Sequence, residues 1–266
     1  MTAGGNRGFD ARAAHPARVY DYWLGGKDNF AADRELGERT LQAYPNLAFS
    51  VRANRAFLAR SVRFLAAEVG IRQFLDIGTG LPTANNTHEV AQSVAPESRI
   101  VYVDNDPLVL SHARALLTSS PEGVTGYLDA DLRDTDRILE LAAATLDFSR
   151  PVAIMLLAIL HYIPDLDEAQ RIVARLAGAV PSGSYLVISH AASDISPQEM
   201  AEMIRRMNEH LAEGNHVGRP RDVVARFFAD VDLVEPGVVK VTQWRPASAV
   251  AAQTPTSLWG GVGCKP

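Results

Sequence analysis

The fold is decided by the stretch Phe74-Leu75-Asp76-Ile77-Gly78-Thr79-Gly80-Leu81-Pro82-Thr83. A short apolar run leads into an aspartate, and two glycines separated by one residue follow. A parallel strand ends in this way when the turn after it lies against a nucleotide-like ligand. Glycine suits such a turn because it adopts positive φ and lets a ligand approach where a Cβ would collide. An ordinary strand followed by a glycine turn would look the same, so the choice depends on the residues that follow.

Two further apolar runs also end in acidic residues. They are Ile100–Asp104 and Tyr127–Asp131, and the first follows at the distance that a βαβ unit requires. Apolar runs at residues 152–157 and 184–190 predict a fourth and a fifth strand, and residues 232–244 and 258–262 predict a final antiparallel pair at one sheet edge. We therefore predict an α/β protein with a Rossmann-like, doubly wound sheet, mostly parallel with one antiparallel strand.

Composition excludes several classes of protein. The 266 residues are 47% apolar and 21% charged, with a net charge of -5 and no basic run, which disfavours a nucleic-acid-binding protein. The single cysteine, Cys264, excludes an intrachain disulfide, and Gln92 stands where a metalloprotease motif begun by His88-Glu89 needs its second histidine. The most apolar stretch, Val152–Ile163, is too short to cross a membrane. We predict a cytoplasmic protein without a metal, a nucleic-acid partner or a membrane partner.

The acidic strand ends also suggest a ligand. Asp104 suits the paired hydroxyls of a ribose, and Asp131 could accept from the exocyclic amine of adenine. The dinucleotide fingerprint GxGxxG fails because Thr83 replaces its third glycine and Pro82 interrupts the helix start. Asp76 suits a ligand with a positive centre. These features favour S-adenosyl-L-methionine over NAD.

At this point the sequence resembles a known family. The strand-end motifs are similar to those of class I S-adenosylmethionine-dependent methyltransferases over roughly residues 70 to 265. More narrowly, nearly the whole chain resembles a bacterial S-adenosyl methyltransferase family, formerly a domain of unknown function. The segments that carry this resemblance are Arg18–Asn29, Phe74–Thr83, His88–Ala91, Val101–Pro107 and Trp244–Pro246. The resemblance implies S-adenosyl-L-methionine as cofactor and the sheet order 3-2-1-4-5-7-6.

The resemblance also implies roles for individual residues. Asp76, Gly78, Thr79 and Gly80 would contact the methionine end of the cofactor. Asp104 and Asn105 would hold its ribose, and Asp131 and Leu132 would contact its adenine. The segment Leu157–Tyr162 would border the sulfonium and the acceptor. His161 and Tyr162 could accept a proton there, although a helix cap and a core aromatic are equally good interpretations, and methyl transfer needs no dedicated base.

The N-terminal aromatics allow two interpretations. Residues 16–30 could be a helix docked on the body and capped at Gly25-Gly26, or a lid over a ligand pocket. We predict that residues 18–30 cover the cofactor and that Tyr22 or Asn29 touches it. The predicted organisation is a tail and helical lid at residues 1–48, followed by a cofactor-binding methyltransferase domain at residues 49–266. Residues 49–69 predict a long helix, and one side of it carries a row of arginines that is typical of a solvated face: Arg52, Arg55, Arg60 and Arg63.

The predicted function is that of an enzyme. We expect a methyltransferase that uses S-adenosyl-L-methionine to methylate the oxygen or nitrogen of a small molecule. A non-catalytic protein that binds the cofactor or its demethylated product is an alternative. An NAD-dependent oxidoreductase is a third interpretation, which the altered glycine fingerprint disfavours. The sequence does not decide the acceptor or the oligomeric state.

Overall fold

A computed structural model of the chain describes residues 10–116, 118–211 and 215–266, so the first nine residues of the predicted tail lie outside it. The α-helices in these ranges are α1 (Pro16–Leu24), α2 (Ala31–Ala43), α3 (Leu47–Phe64), α4 (Thr87–Val94), α5 (Pro107–Leu116), α6 (Thr135–Ala142), α7 (Leu166–Gly178), α8 (Pro197–His210), α9 (Arg221–Ala225) and α10 (Ala249–Ala252). The strands are β1 (Gln73–Ile77), β2 (Arg99–Asp104), β3 (Val124–Asp129), β4 (Ala153–Leu157), β5 (Tyr185–Ala191), β6 (Asp232–Leu233), β7 (Val239–Lys240) and β8 (Leu258–Cys264).

The strands form one sheet in the order β3-β2-β1-β4-β5-β8-β6, with β7 also paired to β8. Strands β1 to β5 pair in parallel, and β8 runs antiparallel to its neighbours. The predicted fold class and sheet order are therefore confirmed, with β8 in the place of the seventh strand. The stretch predicted as one strand at residues 232–244 forms only two short strands. Pro236 lacks an N–H, and Gly237 takes a φ of +83° between them, which interrupts strand pairing.

Alternate residues of the central strands face two different cores. Phe74 of β1 belongs to the core that α3 and α4 cover, whereas Leu75 belongs to the core that α6 and α7 cover. Burying one such side chain contributes roughly 1.5–3 kcal/mol. Because side chains alternate along a strand, Asp76 points to the same face as Phe74, towards α3 and α4. This geometry places a buried carboxylate beside the glycine turn.

The N-terminal helices are part of the first core. Val19 and Trp23 of α1 and Leu36 of α2 are buried in the same cluster as Phe57 of α3. The Trp23 Nε1–H also donates to the backbone oxygen of Gly37. Deleting residues 1–30 would therefore remove core side chains, so this segment is more than a detachable cover. The domain division at residues 48 and 49 remains a prediction.

Within the described ranges, no helix is long and apolar enough to cross a membrane. The same residues contain no group of three or more histidine, cysteine, aspartate or glutamate side chains that could hold a metal ion.

Candidate active site

A cavity of about 760 Å³, the main cavity, lies at the carboxyl ends of the parallel strands. Its floor is formed by the glycine turn after β1, the ends of β2 and β4, and the segment after β3. Side chains of α3 form one wall, and residues near the start of α1 form the roof. Ligands bind in this position in open α/β sheets, where the strand order reverses. The sites that the sequence predicts at residues 76–80, 104–105, 131–132 and 157 are all represented in the lining.

The two glycines of the turn are required for different reasons. Gly78 has a φ of +75°, and a Cβ there would lie 2.5 Å from Cγ1 of Ile159. Gly80 has a φ of +68° but open space around its Cα, so only its backbone conformation demands glycine. Between them, the Thr79 hydroxyl donates to the backbone oxygen of Asp76. The turn is thereby fixed with its backbone exposed to the cavity.

Asp104 links the glycine turn to the end of β2. Its carboxylate accepts from the backbone N–H of Gly80 at 2.9 Å and from that of Asp106 at 3.0 Å. Burial raises the pKa of this carboxyl, and the two hydrogen bonds oppose that rise. The next residue, Asn105, has its amide 3.5 Å from the carboxylate of Asp131, which follows the neighbouring strand β3. The structure thus brings the predicted ribose and adenine residues together on one side of the cavity floor.

Asp76 is a buried carboxyl at the other end of the turn. Burial raises its pKa to about 6, while the Thr87 hydroxyl, which donates at 2.6 Å, and the charge of Arg55 lower it. The side chain would therefore be poised to ionise fully when a cation enters the cavity. An ammonium group is such a cation.

We expect the affinity for S-adenosylhomocysteine to fall by about tenfold between pH 7.5 and pH 5, because Asp76 must lose its proton to bind an ammonium group. Because the pKa is raised, protonated Asp76 stabilises the folded state at low pH, and this stabilisation is lost as the pH rises through about 6. Unfolding driven by Asp76 therefore cannot explain weaker binding in acid. Calorimetry across this range tests the prediction.

Two variants serve as controls for this pH dependence. In Asp76→Asn, binding should be weak and the pH dependence lost. In Thr87→Val, the midpoint should move to higher pH, because the hydrogen bond that lowers the pKa is removed. An unchanged pH profile in Asp76→Asn would show that another group titrates.

Helix α3 contributes side chains that the sequence interpretation missed. Arg55 lines the main cavity and donates to the backbone oxygens of Ala84 and Asn85 and to the Asn86 side chain. It thereby ties α3 to the loop before α4. The solvated-face interpretation fits the exposed Arg52 but is wrong for Arg55. The spacing of arginines on a helix gives no sign of which ones meet a loop.

The roof comes from residues 10–20 rather than 18–30. His15 lies 2.9 Å from the Asp106 carboxylate, which joins the start of α1 to the end of β2. A backbone bridge pairs Ala14 with Leu211 after α8. Tyr20 also lines the cavity, and its hydroxyl accepts from the Asn54 amide and donates to the oxygen of Val51.

The structure corrects the expectation that Tyr22 or Asn29 faces the ligand. The Tyr22 hydroxyl contacts Glu38 of α2, and the Asn29 amide donates to Asp21 and to the oxygen of Gly26. Two residues along a helix turn a side chain by about 200°, so Tyr20 and Tyr22 point to opposite sides. Gly26 is needed because a Cβ would lie 1.9 Å from the Asp21 carboxylate. The glycine pair thus serves packing at the end of α1.

The segment after β4 separates the two residues predicted to accept a proton. Ala158 has a φ of +53°, and its N–H donates to the backbone oxygen and the hydroxyl of Ser189. The short 3₁₀ turn Leu160–Tyr162 follows, in which Tyr162 lines the main cavity and His161 lies behind it. Burial raises the pKa of Tyr162, so its phenol stays protonated at neutral pH. Tyr162 is therefore suited to hydrogen bonding rather than to accepting a proton.

Comparison with known proteins agrees with this geometry. The family model of S-adenosyl methyltransferases matches residues 3–266. The chain belongs to this family. It is accordingly an S-adenosyl-L-methionine-dependent methyltransferase of the class I fold, as the resemblance implied.

Solved structures support the assignment over the whole length of this methyltransferase. A DUF574 family protein from Streptomyces avermitilis is 46% identical with a TM-score of 0.92, over 97% of this chain and 99% of that one. A candidate methyltransferase from Thermobifida fusca is 42% identical with a TM-score of 0.87, over 99% of both chains. The plantazolicin methyltransferase BpumL, at 11% identity and a TM-score of 0.52 over 94% of both chains, shares the fold. A search of the curated proteins finds no match.

Proposed function

We propose that this methyltransferase transfers a methyl group to the oxygen or nitrogen of a small-molecule acceptor. The observation that carries the proposal is the roof over the main cavity, in which His15 and Ala14 join the start of α1 to other parts of the fold. A roofed cavity of about 760 Å³ is suited to a small ligand beside the cofactor and not to the side chain of a folded protein. Dependence on an intracellular metabolite favours a cytoplasmic location.

The residues of the main cavity fit the cofactor. The glycine turn leaves open space at Gly80 where a ligand can approach the backbone, and Asp76 offers a carboxylate to an ammonium group. In our assignment, Asp104 holds the ribose hydroxyls, and Asp131 with the backbone of Leu132 meets the adenine. S-adenosyl-L-methionine, when bound, supplies an electrophilic methyl group.

The acceptor region in this proposal is the part of the main cavity between α3 and the segment after β4. Tyr20, Leu58 and Tyr162 give it a largely apolar surface, and Asn54 is held by Tyr20 and by the Ser189 hydroxyl at 2.6 Å. Such a surface excludes water and aligns an acceptor with the methyl donor. Alignment and desolvation supply much of the rate acceleration in a transfer of this kind.

The proposal is tested by following the methyl group. The protein is incubated with S-adenosylmethionine labelled in its methyl group and with a bacterial extract separated into small molecules, protein and RNA. We expect label in the small-molecule fraction, and far less there with the Asp104→Ala variant when the labelled cofactor is kept below saturation. Label that enters only protein or RNA would overturn the small-molecule assignment and leave the methyltransferase itself intact.

A further inference from the structure

A second, smaller cavity of about 40 Å³ adjoins the main cavity. Tyr20, Ala158 and Tyr162 line both cavities, so these three residues form the partition between them. His161 and His216 line the smaller cavity, which we name the rear chamber. Its volume is enough for a water-sized polar group. The rear chamber therefore lies directly behind the acceptor region, on the other side of the partition.

The imidazole rings of the two rear-chamber histidines have no hydrogen-bond partner among the described residues. Each residue is only 5% exposed, and the Nδ1 atoms of both rings are buried and unpaired. Their ring centroids lie 4.3 Å apart, and the His161 ring also packs 4.5 Å from that of Tyr162. Buried polar groups in proteins are nearly always hydrogen-bonded, because an unpaired one costs about 1–3 kcal/mol.

A third buried histidine nearby shows the contrast. His190 donates from Nδ1 to the oxygen of Ala191, and its Nε2 accepts from the Arg219 guanidinium at 2.8 Å. Both of its ring nitrogens are thus paired within the protein. Of these three neighbouring imidazoles, the two that line the rear chamber keep an unpaired buried Nδ1, which points to a ligand group as their partner.

The charges around the rear chamber narrow the kind of group that it can take. The Arg219 guanidinium donates to the oxygens of Leu160 and Ile163 and lies close enough to act on His161. No carboxylate is among the described residues that line the chamber, and Asp165 acts on Arg219. Burial, with the neighbouring histidines and Arg219, holds the pKa of His161 well below its ordinary value. Burial likewise lowers the pKa of His216 to about 4.

We propose that the rear chamber is an acceptor subsite that binds a neutral hydroxyl group. The proposal rests on the proposed function, since it names the class of small-molecule acceptor. Two neutral imidazoles offer one N–H donor and one lone pair each, and a hydroxyl can satisfy a donor and an acceptor at once. An aliphatic amine is an ammonium ion at neutral pH, and no carboxylate among the described lining residues would balance its charge in the rear chamber.

This placement also gives the hydroxyl proton a destination. When the acceptor oxygen bonds to the methyl carbon and the sulfur–methyl bond breaks, the oxygen must release its proton. The oxonium formed in the transfer is a far stronger acid than an imidazolium, so the imidazole of His161 can take this proton transiently and pass it to solvent despite its lowered pKa. No oxidant, reductant or further reactant is needed. His161 would then be a proton acceptor that works from behind Tyr162.

The test uses a matched pair of probes, benzyl alcohol and benzylamine. They differ in one group, a neutral hydroxyl against an ammonium ion. The whole protein, with ¹⁵N-labelled histidine and saturated with S-adenosylhomocysteine, is titrated with each probe while the imidazole nitrogens are followed by NMR. The variants His161→Gln and His216→Gln assign the two resonances, and His112, outside both cavities, serves as an internal reference.

We expect benzyl alcohol to shift the resonances of His161 and His216 saturably and to leave His112 unmoved. Benzylamine should leave all three unmoved. Each Gln variant should bind benzyl alcohol roughly two- to tenfold more weakly, the effect of one lost hydrogen bond. Equal shifts with both probes, or saturable binding of benzyl alcohol without movement of either histidine, would overturn the inference, and so would the absence of binding. Failure of S-adenosylhomocysteine to bind in the same samples would instead count against the proposed function.

Discussion

Replacing Asp104 by alanine is expected to weaken the binding of S-adenosylhomocysteine by about a hundredfold or more. In our assignment the carboxylate accepts from both ribose hydroxyls, and each charge-assisted hydrogen bond contributes about 1.5–3 kcal/mol. Two of them correspond to at least two powers of ten in the dissociation constant. The substitution also removes the acceptor for the Gly80 N–H, which loosens the glycine turn. Isothermal titration calorimetry measures the loss directly.

The neighbouring strand offers a matched control. Asp129 ends β3 in register with Asp104 on β2, but its side chain is exposed and does not line the main cavity. The Asp129→Ala variant should bind S-adenosylhomocysteine with unchanged affinity. A thermal unfolding curve for each variant shows whether the fold is intact. Full affinity in a folded Asp104→Ala protein would mean that the ribose is held elsewhere.

The second large effect is expected in the roof. Replacing Arg18 by methionine should lower the free energy of unfolding by about 3–5 kcal/mol, because it leaves a buried carboxylate without its cation. Arg18 is 4% exposed and lies 3.4 Å from Asp33, which is fully buried. Asp33 also accepts from the backbone N–H groups of His15 and Phe30, so it fixes both ends of the segment that contains α1. Urea unfolding monitored by circular dichroism gives the value.

A second arginine in the same segment serves as the control. Arg12 pairs with Asp10, but its side chain is 92% exposed. Surface pairs of this kind contribute little, so Arg12→Met should leave the unfolding midpoint unchanged. If both variants behave alike, the Arg18–Asp33 pair does not hold the roof in place.

The sheet could be predicted from the sequence because its signals are local. The apolar runs predicted to end at Asp104 and at Asp131 indicate parallel strands directly, although β3 ends two residues earlier, at Asp129. The glycine turn marks where the strand order reverses. The resemblance to methyltransferases then implied the strand order that the structure confirms. The short strands β6 and β7 were harder to predict, because Pro236 and Gly237 break a stretch whose composition favours one continuous strand.

The walls of the site could not be predicted in the same way, because they depend on contacts between distant segments. Helical periodicity separates Tyr20 from Tyr22 but does not tell which of them faces a cavity. Arg55 looks like any other exposed arginine until α3 meets the loop before α4. His161 and Tyr162 are adjacent in sequence, yet Tyr162 lines both cavities, whereas His161 lines the rear chamber and not the main cavity.

The position of β8 has a consequence for the protein while it is being made. β8 separates β5 from β6, although residues 258–264 are translated after both of them. Until those residues leave the ribosome, β5 presents a bare edge of unpaired backbone groups, and such an edge can pair with another nascent chain. Non-local pairing of this kind also closes slowly. Changes in residues 258–264 should therefore reduce the yield of soluble protein during synthesis, even where the finished fold tolerates them.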